Sequence, residues 1–181
     1  MIFASARLVA RRFERRDLAA FVAMRSDPAV ARYQSWDGYT VEEGVRFLDG
    51  LSGQEPGEPG WFQFALEEKA TGAFVGDCGL NVSAHDRRLA EIGYSIARPF
   101  WNRGFATEAV RALTGHAFRA YGLHRISASV DPRNVASCRV LEKAGFVKEA
   151  HFRECLWFKG AWADDAIYAL LHPGRGEWPV A

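Results

Sequence analysis

The stretch FWNRGFATEA, residues 100–109, decides how this sequence is interpreted. Its polar and basic residues show no apolar periodicity, and they run directly into an alanine-rich segment of helical character. The first turn of a helix carries backbone N–H groups without partners inside the helix, and the helix dipole places partial positive charge there. A strand, a glycine-containing turn and a helix in succession therefore predict a phosphate-binding cradle. An ordinary helix cap is the alternative interpretation.

The side chains of this stretch are compatible with the cradle, although an ordinary helix cap would be favoured if the motif stood alone. Gly104 lets the backbone approach a ligand closely, Ala106 adds almost no bulk, and Thr107 adds a hydroxyl group. Two other phosphate loops, GxxxxGK[ST] and GxGxxG, are absent from the sequence. A nucleotide-phosphate enzyme that used the 100–109 loop would therefore lack any second phosphate-binding motif in this sequence.

Length and composition limit the class of protein. The chain has 181 residues, 49% hydrophobic and 25% charged, which predicts one globular domain over residues 1–181. A net charge of +1 predicts no nucleic-acid partner and no membrane partner. Three widely spaced cysteines without Cys/His pairs indicate neither a disulfide framework nor a metal site. The sequence shows no signal-peptide core and no membrane-length apolar run, so a cytoplasmic location is expected.

Hydrophobic periodicity predicts a mixed α/β (α+β) fold. An antiparallel meander over residues 61–96 is followed by a helix over 107–121, a strand over 126–130 and a helix over 137–144, with a hairpin at the end. Thr40 and Glu43 have the spacing of a capping box, which predicts a further helix to Leu51. Together these patterns predict a mostly antiparallel central sheet of about seven strands flanked by about four helices.

Two blocks resemble the acetyl-CoA-binding core of the GNAT N-acetyltransferases. In EIGYSIARPFWNRGFATEA, residues 91–109, Trp101, Gly104 and Ala106 occupy the first, fourth and sixth positions of the family loop Gln/Arg-x-x-Gly-x-Gly/Ala. The departure at the first position is common in the RimJ/RimL branch. NVASCRVLEKAGF, residues 134–146, is similar to that branch's N-x-x-S-x-x-x-L-E-K-x-G-F segment. The resemblance spans nearly the whole chain and implies a GNAT fold and a ribosomal-protein-alanine N-acetyltransferase-like enzyme.

The resemblance implies how acetyl-CoA, the cosubstrate, is held, and it implies no metal. Backbone N–H groups of the loop would bind the pyrophosphate. The end of the preceding strand, which splays from its neighbour in this family, would offer backbone hydrogen bonds to the pantetheine arm. Asn134 would contact the cofactor near its sulfur end. The loop residues are Asn102, Arg103, Gly104, Phe105, Ala106 and Thr107, and the strand residues are Tyr94, Ser95 and Ile96.

Acetyl transfer to an amine needs a neutral amine, an oxyanion stabiliser and a proton for the departing thiolate. GNAT enzymes transfer directly, so no cysteine nucleophile is required. Glu91 is the first candidate for general base, and a solvated or salt-bridged strand residue is the alternative. Many GNAT enzymes have a tyrosine acid where this chain has Leu141, so Ser137 is the remaining candidate acid. A helix-capping serine, with water carrying the protons, is the alternative.

The acceptor is expected at the aromatic loop ARYQSWDGYT, residues 31–40, where Tyr33 and Trp36 are the predicted contacts. Packing between the N-terminal helices is the alternative role of these rings. Asp37 is the only acidic residue nearby, which favours a peptide N-terminus or a small amine over a polyamine. The missing tyrosine leaves a rival function, a non-catalytic acyl-CoA-binding or sensing module. Many relatives are dimers, so a homodimer is allowed.

Overall fold

The computed structural model describes residues 1–174, which build one eight-stranded sheet in the order β1-β2-β3-β4-β5-β6-β8-β7. The strands are β1 (Phe3–Ala4), β2 (Leu8–Arg11), β3 (Gly60–Glu68), β4 (Phe74–Val82), β5 (Leu89–Ile96), β6 (Arg125–Val130), β7 (Val147–Phe158) and β8 (Ala161–Leu171). The helices are α1 (Leu18–Ser26), α2 (Pro28–Ala31), α3 (Val41–Gly50), α4 (Phe105–Tyr121) and α5 (Val135–Lys143).

One strand pair differs from all the others in this sheet. Each pair of neighbours is antiparallel except β5 and β6, which run parallel. Parallel neighbours need a crossover connection, and α4 provides it. Because a crossover helix starts where the first strand ends, α4 begins near the carboxyl end of β5.

Helices cover both faces of the sheet. The apolar stripe of α4, which includes Phe105, Val110 and Leu113, packs with Leu141 of α5 onto the main hydrophobic core. A second cluster, built around Phe21 and Met24 of α1, lies on the other face. Both helix stripes follow the 3.6-residue period that places every third or fourth side chain on one face.

The predicted fold class is confirmed, with one more strand and one more helix than the approximate counts. β1 has two residues and α2 has four, which is too short for a periodic signal. The capping box is present, since Thr40 accepts from the Glu43 N–H and Glu43 accepts from the Thr40 N–H. The hairpin strand β7 continues from Val147 to Phe158 through a bulge.

Candidate active site

The candidate site is an opening between β5 and β6. These strands pair only from Leu89 to Glu91 on the β5 side, whereas β4 stays paired with β5 as far as Ile96. In the described part of the chain, no other strand pairs with this edge of β5 beyond Glu91. A cavity of about 410 Å³ occupies the opening. The splaying that the family resemblance implies is therefore present.

The turn before α4 has the backbone geometry of an anion-binding nest. Asn102 and Gly104 both have left-handed backbone conformations, with φ of 59° and 79°. Turns of this kind direct successive N–H groups toward one point. Asparagine and glycine are the residues that enter this conformation most easily. Because α4 starts at Phe105, the unpaired N–H groups of its first turn adjoin the nest.

Two contacts hold this turn in place. The indole N–H of Trp101 donates to the Ile96 carbonyl over 2.6 Å and so fastens the turn to the end of β5. On the other side, the Arg7 guanidinium donates to the Arg103 carbonyl over 2.9 Å. The Arg103 side chain itself donates to Glu68, so this residue faces the nest with its backbone.

Glu108, in the first turn of α4, has a structural role. Its carboxylate accepts hydrogen bonds from the Ser5 hydroxyl and from the backbone and side chain of Arg7. Burial alone would raise the pKa of Glu108, but these hydrogen bonds lower it overall. An ionised carboxylate held in this way also suits the positive end of the helix dipole.

A second depression, of about 650 Å³, follows α4 outward from the nest. Gly104 and Thr107 line its inner end, and Arg111 and Lys143 line its outer end. It is the larger of the two depressions, but Glu91 and Ser137 line the smaller one in the opening. The predicted catalytic residues therefore lie in the cavity of the opening, and the depression along α4 has the cations Arg111 and Lys143 in its lining.

Glu91 and Tyr94 lie on opposite faces of β5, because side chains alternate along a strand. Burial raises the pKa of the Glu91 carboxyl, and the nearby carboxylate of Asp165 raises it further. On the other face, the Tyr94 hydroxyl lies 2.7 Å from the Ser137 Oγ. Burial raises the pKa of Tyr94 to about 12. The opening thus has a carboxylate on one side and two hydroxyls on the other.

Asn134 and Ser137 form the start of α5. The Asn134 side-chain oxygen accepts from the Ser137 N–H over 3.1 Å, so Asn134 is the helix cap and also lines the cavity. Leu141, at the position of the missing tyrosine, is buried in the core. Cys138 packs against the same core.

The two predicted acceptor contacts in the aromatic loop, Tyr33 and Trp36, lie in different places. Tyr33 lines the cavity, and its hydroxyl donates to the Arg133 carbonyl over 3.2 Å. Trp36 turns toward α1, where its indole N–H donates to the Arg25 carbonyl and the Arg25 guanidinium lies 4.1 Å above its ring. Lys159, at the β7–β8 turn, fixes the loop by donating to the Trp36 carbonyl over 2.8 Å.

The aromatic loop borders more acidic charge than Asp37 alone, because the cavity that Tyr33 lines also has carboxylates from distant segments. Asp37 pairs with Lys159, and three other carboxylates line the cavity beside Glu91. Asp131 follows β6, and Asp164 and Asp165 are neighbours on β8. These residues come from segments far from the aromatic loop in sequence. The Asp-Asp pair in the C-terminal strand is the sequence signal that could have indicated them.

The described residues contain no group of three or more His, Cys, Asp and Glu side chains that could hold a metal ion. Within the same residues, no helix is long and apolar enough to cross a membrane.

Comparisons with known proteins define the class of this chain as an acetyltransferase. A protein-family model described as "Acetyltransferase (GNAT) domain" matches residues 7–147. The Bacillus licheniformis protein named "Uncharacterized N-acetyltransferase p20" is 32% identical over 169 residues, which are 91% of this chain and 93% of that protein. The chain belongs to the GNAT acetyltransferase family.

Solved structures agree with this assignment. A GNAT-family acetyltransferase from Bacillus anthracis has a TM-score of 0.85 at 29% identity, over 93% of this chain and 97% of that chain. Mycobacterium smegmatis RimJ in complex with CoA-disulfide has a TM-score of 0.83 at 27% identity, over 97% and 89% of the two chains. The predicted family, with RimJ/RimL enzymes among the relatives, is confirmed.

Proposed function

We propose that this acyltransferase moves an acetyl group directly from acetyl-CoA to a primary amine, either a peptide α-amino group or a small-molecule amine. The observation that carries the proposal is the opening between β5 and β6, which has Glu91 on one face, Tyr94 and Ser137 on the other, and an anion nest at its end. Donor and acceptor can meet there from opposite sides of the sheet.

The donor side supports acetyl-CoA. The nest at Asn102 and Gly104, together with the first turn of α4, offers N–H groups to the pyrophosphate. The edge of β5 that β6 leaves unpaired beyond Glu91 offers the pantetheine arm a strand-like partner at Tyr94, while the Ile96 carbonyl already accepts from the Trp101 indole. Mycobacterium smegmatis RimJ, a relative of similar structure, was solved with a CoA disulfide.

The charges of the cavity support a cationic acceptor. Four carboxylates line it, and among the described lining residues there is no lysine or arginine. Asp131 is paired with the Arg133 guanidinium, Asp164 lies 2.7 Å from the His151 Nε2, and Asp165 accepts from the Ser129 hydroxyl. An ammonium ion would relieve the repulsion between Glu91 and Asp165. The four carboxylates therefore make amines with a second positive charge candidate acceptors again, although the sequence alone had disfavoured polyamines.

Glu91 is the proposed base. It would take a proton from the ammonium ion, directly or through water, and the neutral amine would attack the thioester carbonyl carbon. The raised pKa of Glu91 brings the carboxyl nearer to neutral pH, where a base works best. Ser137 is the proposed hydrogen-bond donor to the departing sulfur.

The rival function is a CoA-binding sensor without catalysis. Leu141 favours it, because a buried leucine supplies no phenol from α5. Thiol release from acetyl-CoA, measured across peptides with different N-terminal residues, monoamines and diamines, separates the two functions. Turnover with any acceptor supports the enzyme, and silence across the whole panel supports the sensor.

Binding of acetyl-CoA is tested by two glycine variants. Gly104→Ala places a Cβ in a left-handed conformation at the nest, and Gly122→Ala does the same at the far end of α4, where φ is 63°. Each change should destabilise the fold by about 1 kcal/mol. Acetyl-CoA should raise the melting temperature of the wild type and of Gly122→Ala, and much less that of Gly104→Ala. A wild type without any shift would refute both the enzyme and the sensor.

A further inference from the structure

We propose that Tyr94 is a positioning residue that aims the Ser137 hydroxyl proton at the sulfur atom of the departing CoA. This inference deepens the proposed acetyltransferase function and rests on it. It starts from one contact, the hydrogen bond between a strand on one side of the opening and a helix on the other.

In this proposal the Tyr94 hydroxyl is the donor of the pair, since either oxygen can donate at this distance. The Tyr94 oxygen lies 2.7 Å from the Ser137 Oγ and 3.2 Å from the Ser137 carbonyl oxygen. Both Ser137 oxygens are therefore within reach of the Tyr94 proton, and the shorter contact is the one to Oγ. When Ser137 Oγ accepts from Tyr94, the Ser137 proton is directed elsewhere.

The free direction for that proton is the cavity. Ser137 lines the opening together with Asn134, and its backbone N–H is already bonded to the Asn134 side chain. The start of α5 is therefore fixed by a cap, and the hydroxyl by Tyr94. With Tyr94 as donor, the Ser137 O–H is left to point into the cavity, where it can stabilise a developing charge.

Tyr94 itself stays protonated throughout. Its pKa of about 12 is far above that of an ordinary thiol, about 8.5. A thiolate therefore does not take the phenol proton, and Tyr94 remains a hydrogen-bond donor. The titratable side chains around this pair include the Cys138 thiol on α5 and the carboxylates that line the same cavity, which are Glu91, Asp131, Asp164 and Asp165.

The proton balance is complete without a net donor from the protein. Glu91 takes one proton from the ammonium ion, and the amine nitrogen forms its bond to the carbonyl carbon. When the C–S bond breaks, its electron pair goes to sulfur, where the Ser137 O–H stabilises the charge. The second proton leaves the nitrogen and ends on the sulfur. The products are the amide, the free thiol and one proton.

The test compares Tyr94→Phe, Ser137→Ala and the double variant with the wild type. Tyr168→Phe is the matched control. This buried phenol of β8 also bonds to α5, where its hydroxyl lies 3.3 Å from the Glu142 carboxylate, but it does not line the cavity. Two quantities are measured for each protein: kcat with the best acceptor, and the pKa of the bound CoA thiol from its ultraviolet thiolate absorbance. The second readout needs no acceptor.

Each single variant should raise the pKa of the bound thiol, because the thiolate loses its hydrogen bond. Each should also lower kcat about tenfold, with the KM for acetyl-CoA nearly unchanged. The double variant should be no worse than either single variant, since both hydroxyls act through one bond. Tyr168→Phe should match the wild type in both readouts.

Two results would overturn the inference alone. One is that Tyr94→Phe leaves kcat and the pKa of the bound thiol the same as in the wild type. The other is that, in an active enzyme, the double variant loses as much kcat as the two single variants together. A wild type that binds CoA but transfers acetyl to no acceptor would refute the proposed catalysis. In that case an unchanged thiol pKa in Tyr94→Phe would also refute the positioning role, and a raised one would support it.

Discussion

The buried carboxylate of Asp77 should make the free energy of unfolding fall as pH rises from about 4 to 7. Asp77 lies on β4 with its side chain 2% exposed, and its nearest cation is the Arg25 guanidinium at 3.6 Å. Among the described residues, the Asp77 Oδ2 and the Arg25 Nε have no hydrogen-bond partner. The ion pair is therefore buried but incompletely bonded, which is the case in which desolvation exceeds attraction.

The size of the effect follows from the pKa. Burial raises the pKa of Asp77 from 3.8 to about 6, although Arg25 and Gln63 act in the opposite direction. Between these two values the folded protein holds the proton more tightly than the unfolded chain. Its stabilisation is complete below the unfolded pKa and is lost as pH rises through the folded pKa. At about 1.4 kcal/mol per pKa unit, the loss is about 3 kcal/mol.

Urea unfolding at a series of pH values measures this loss. Because Asp77→Asn does not titrate, the free energy of unfolding of the variant should gain about 3 kcal/mol relative to the wild type between about pH 4 and 7. Asp86→Asn is the control. Hydrogen bonds from the side chain and backbone of Arg88 lower the pKa of Asp86 to about 2. Its difference from the wild type should be flat above about pH 5.

A flat difference between Asp77→Asn and the wild type over the same range would refute the reasoning. It would mean that Arg25 and the hydrogen bonds fully offset the burial of this carboxylate. A difference that moves in favour of the wild type as pH rises would mean that the ion pair exceeds the desolvation cost.

Two further changes test the acceptor side. Glu91→Gln should remove the acid limb of the profile of kcat against pH. In the wild type this limb should lie above the ordinary glutamate range, because burial and Asp165 raise the Glu91 pKa. An unchanged limb in the variant would exclude Glu91 as the base. Lys159→Met should raise the KM for the amine several-fold, about what the loss of charged hydrogen bonds costs, because Lys159 fixes the loop at Ala31 and Trp36. The KM for acetyl-CoA should stay the same. The control is Lys69→Met, which removes a hydrogen bond to the Ser5 carbonyl. Equal changes in the KM for the amine and the KM for acetyl-CoA would mean a general loss of structure.

The donor side of the site could be predicted from sequence because it is contiguous. Residues 91–109 contain the end of a strand, a turn and the start of a helix, and each has a local signal. Gly104 was expected to let the backbone approach a ligand closely, and the structure adds a left-handed φ of 79° at this residue. The start of α4 was expected at Thr107 but lies at Phe105, because a nest and a first helical turn follow each other without a capping side chain.

The rest of the site was harder to predict, because it is assembled from distant segments. Asp131 and Asp165 reach the cavity only through the pairing of β6 with β8, which no local pattern reveals. Tyr94 was expected to act through its backbone alone. Strand alternation does place its side chain opposite Glu91, but the contact with Ser137 depends on how α5 packs. Trp36 lies away from the cavity that Tyr33 lines because its ring packs against the Arg25 guanidinium, and this contact has no local sequence signal either.

The nest and the opening have one topological cause. A parallel neighbour for β5 requires a crossover, so the N-terminus of α4 must lie at the carboxyl end of β5. β5 and β6 separate at that same end, so the partial positive charge of the helix adjoins the gap in the sheet. In this chain an anion site therefore lies beside a strand-shaped slot, which suits a donor with a diphosphate and an extended arm. The acceptor has no such constraint: β8, the β6–α5 turn and the aromatic loop can each change without altering the crossover. For this reason the donor follows from the fold, whereas the acceptor must be determined from the charges of Glu91, Asp131, Asp164 and Asp165 and by experiment.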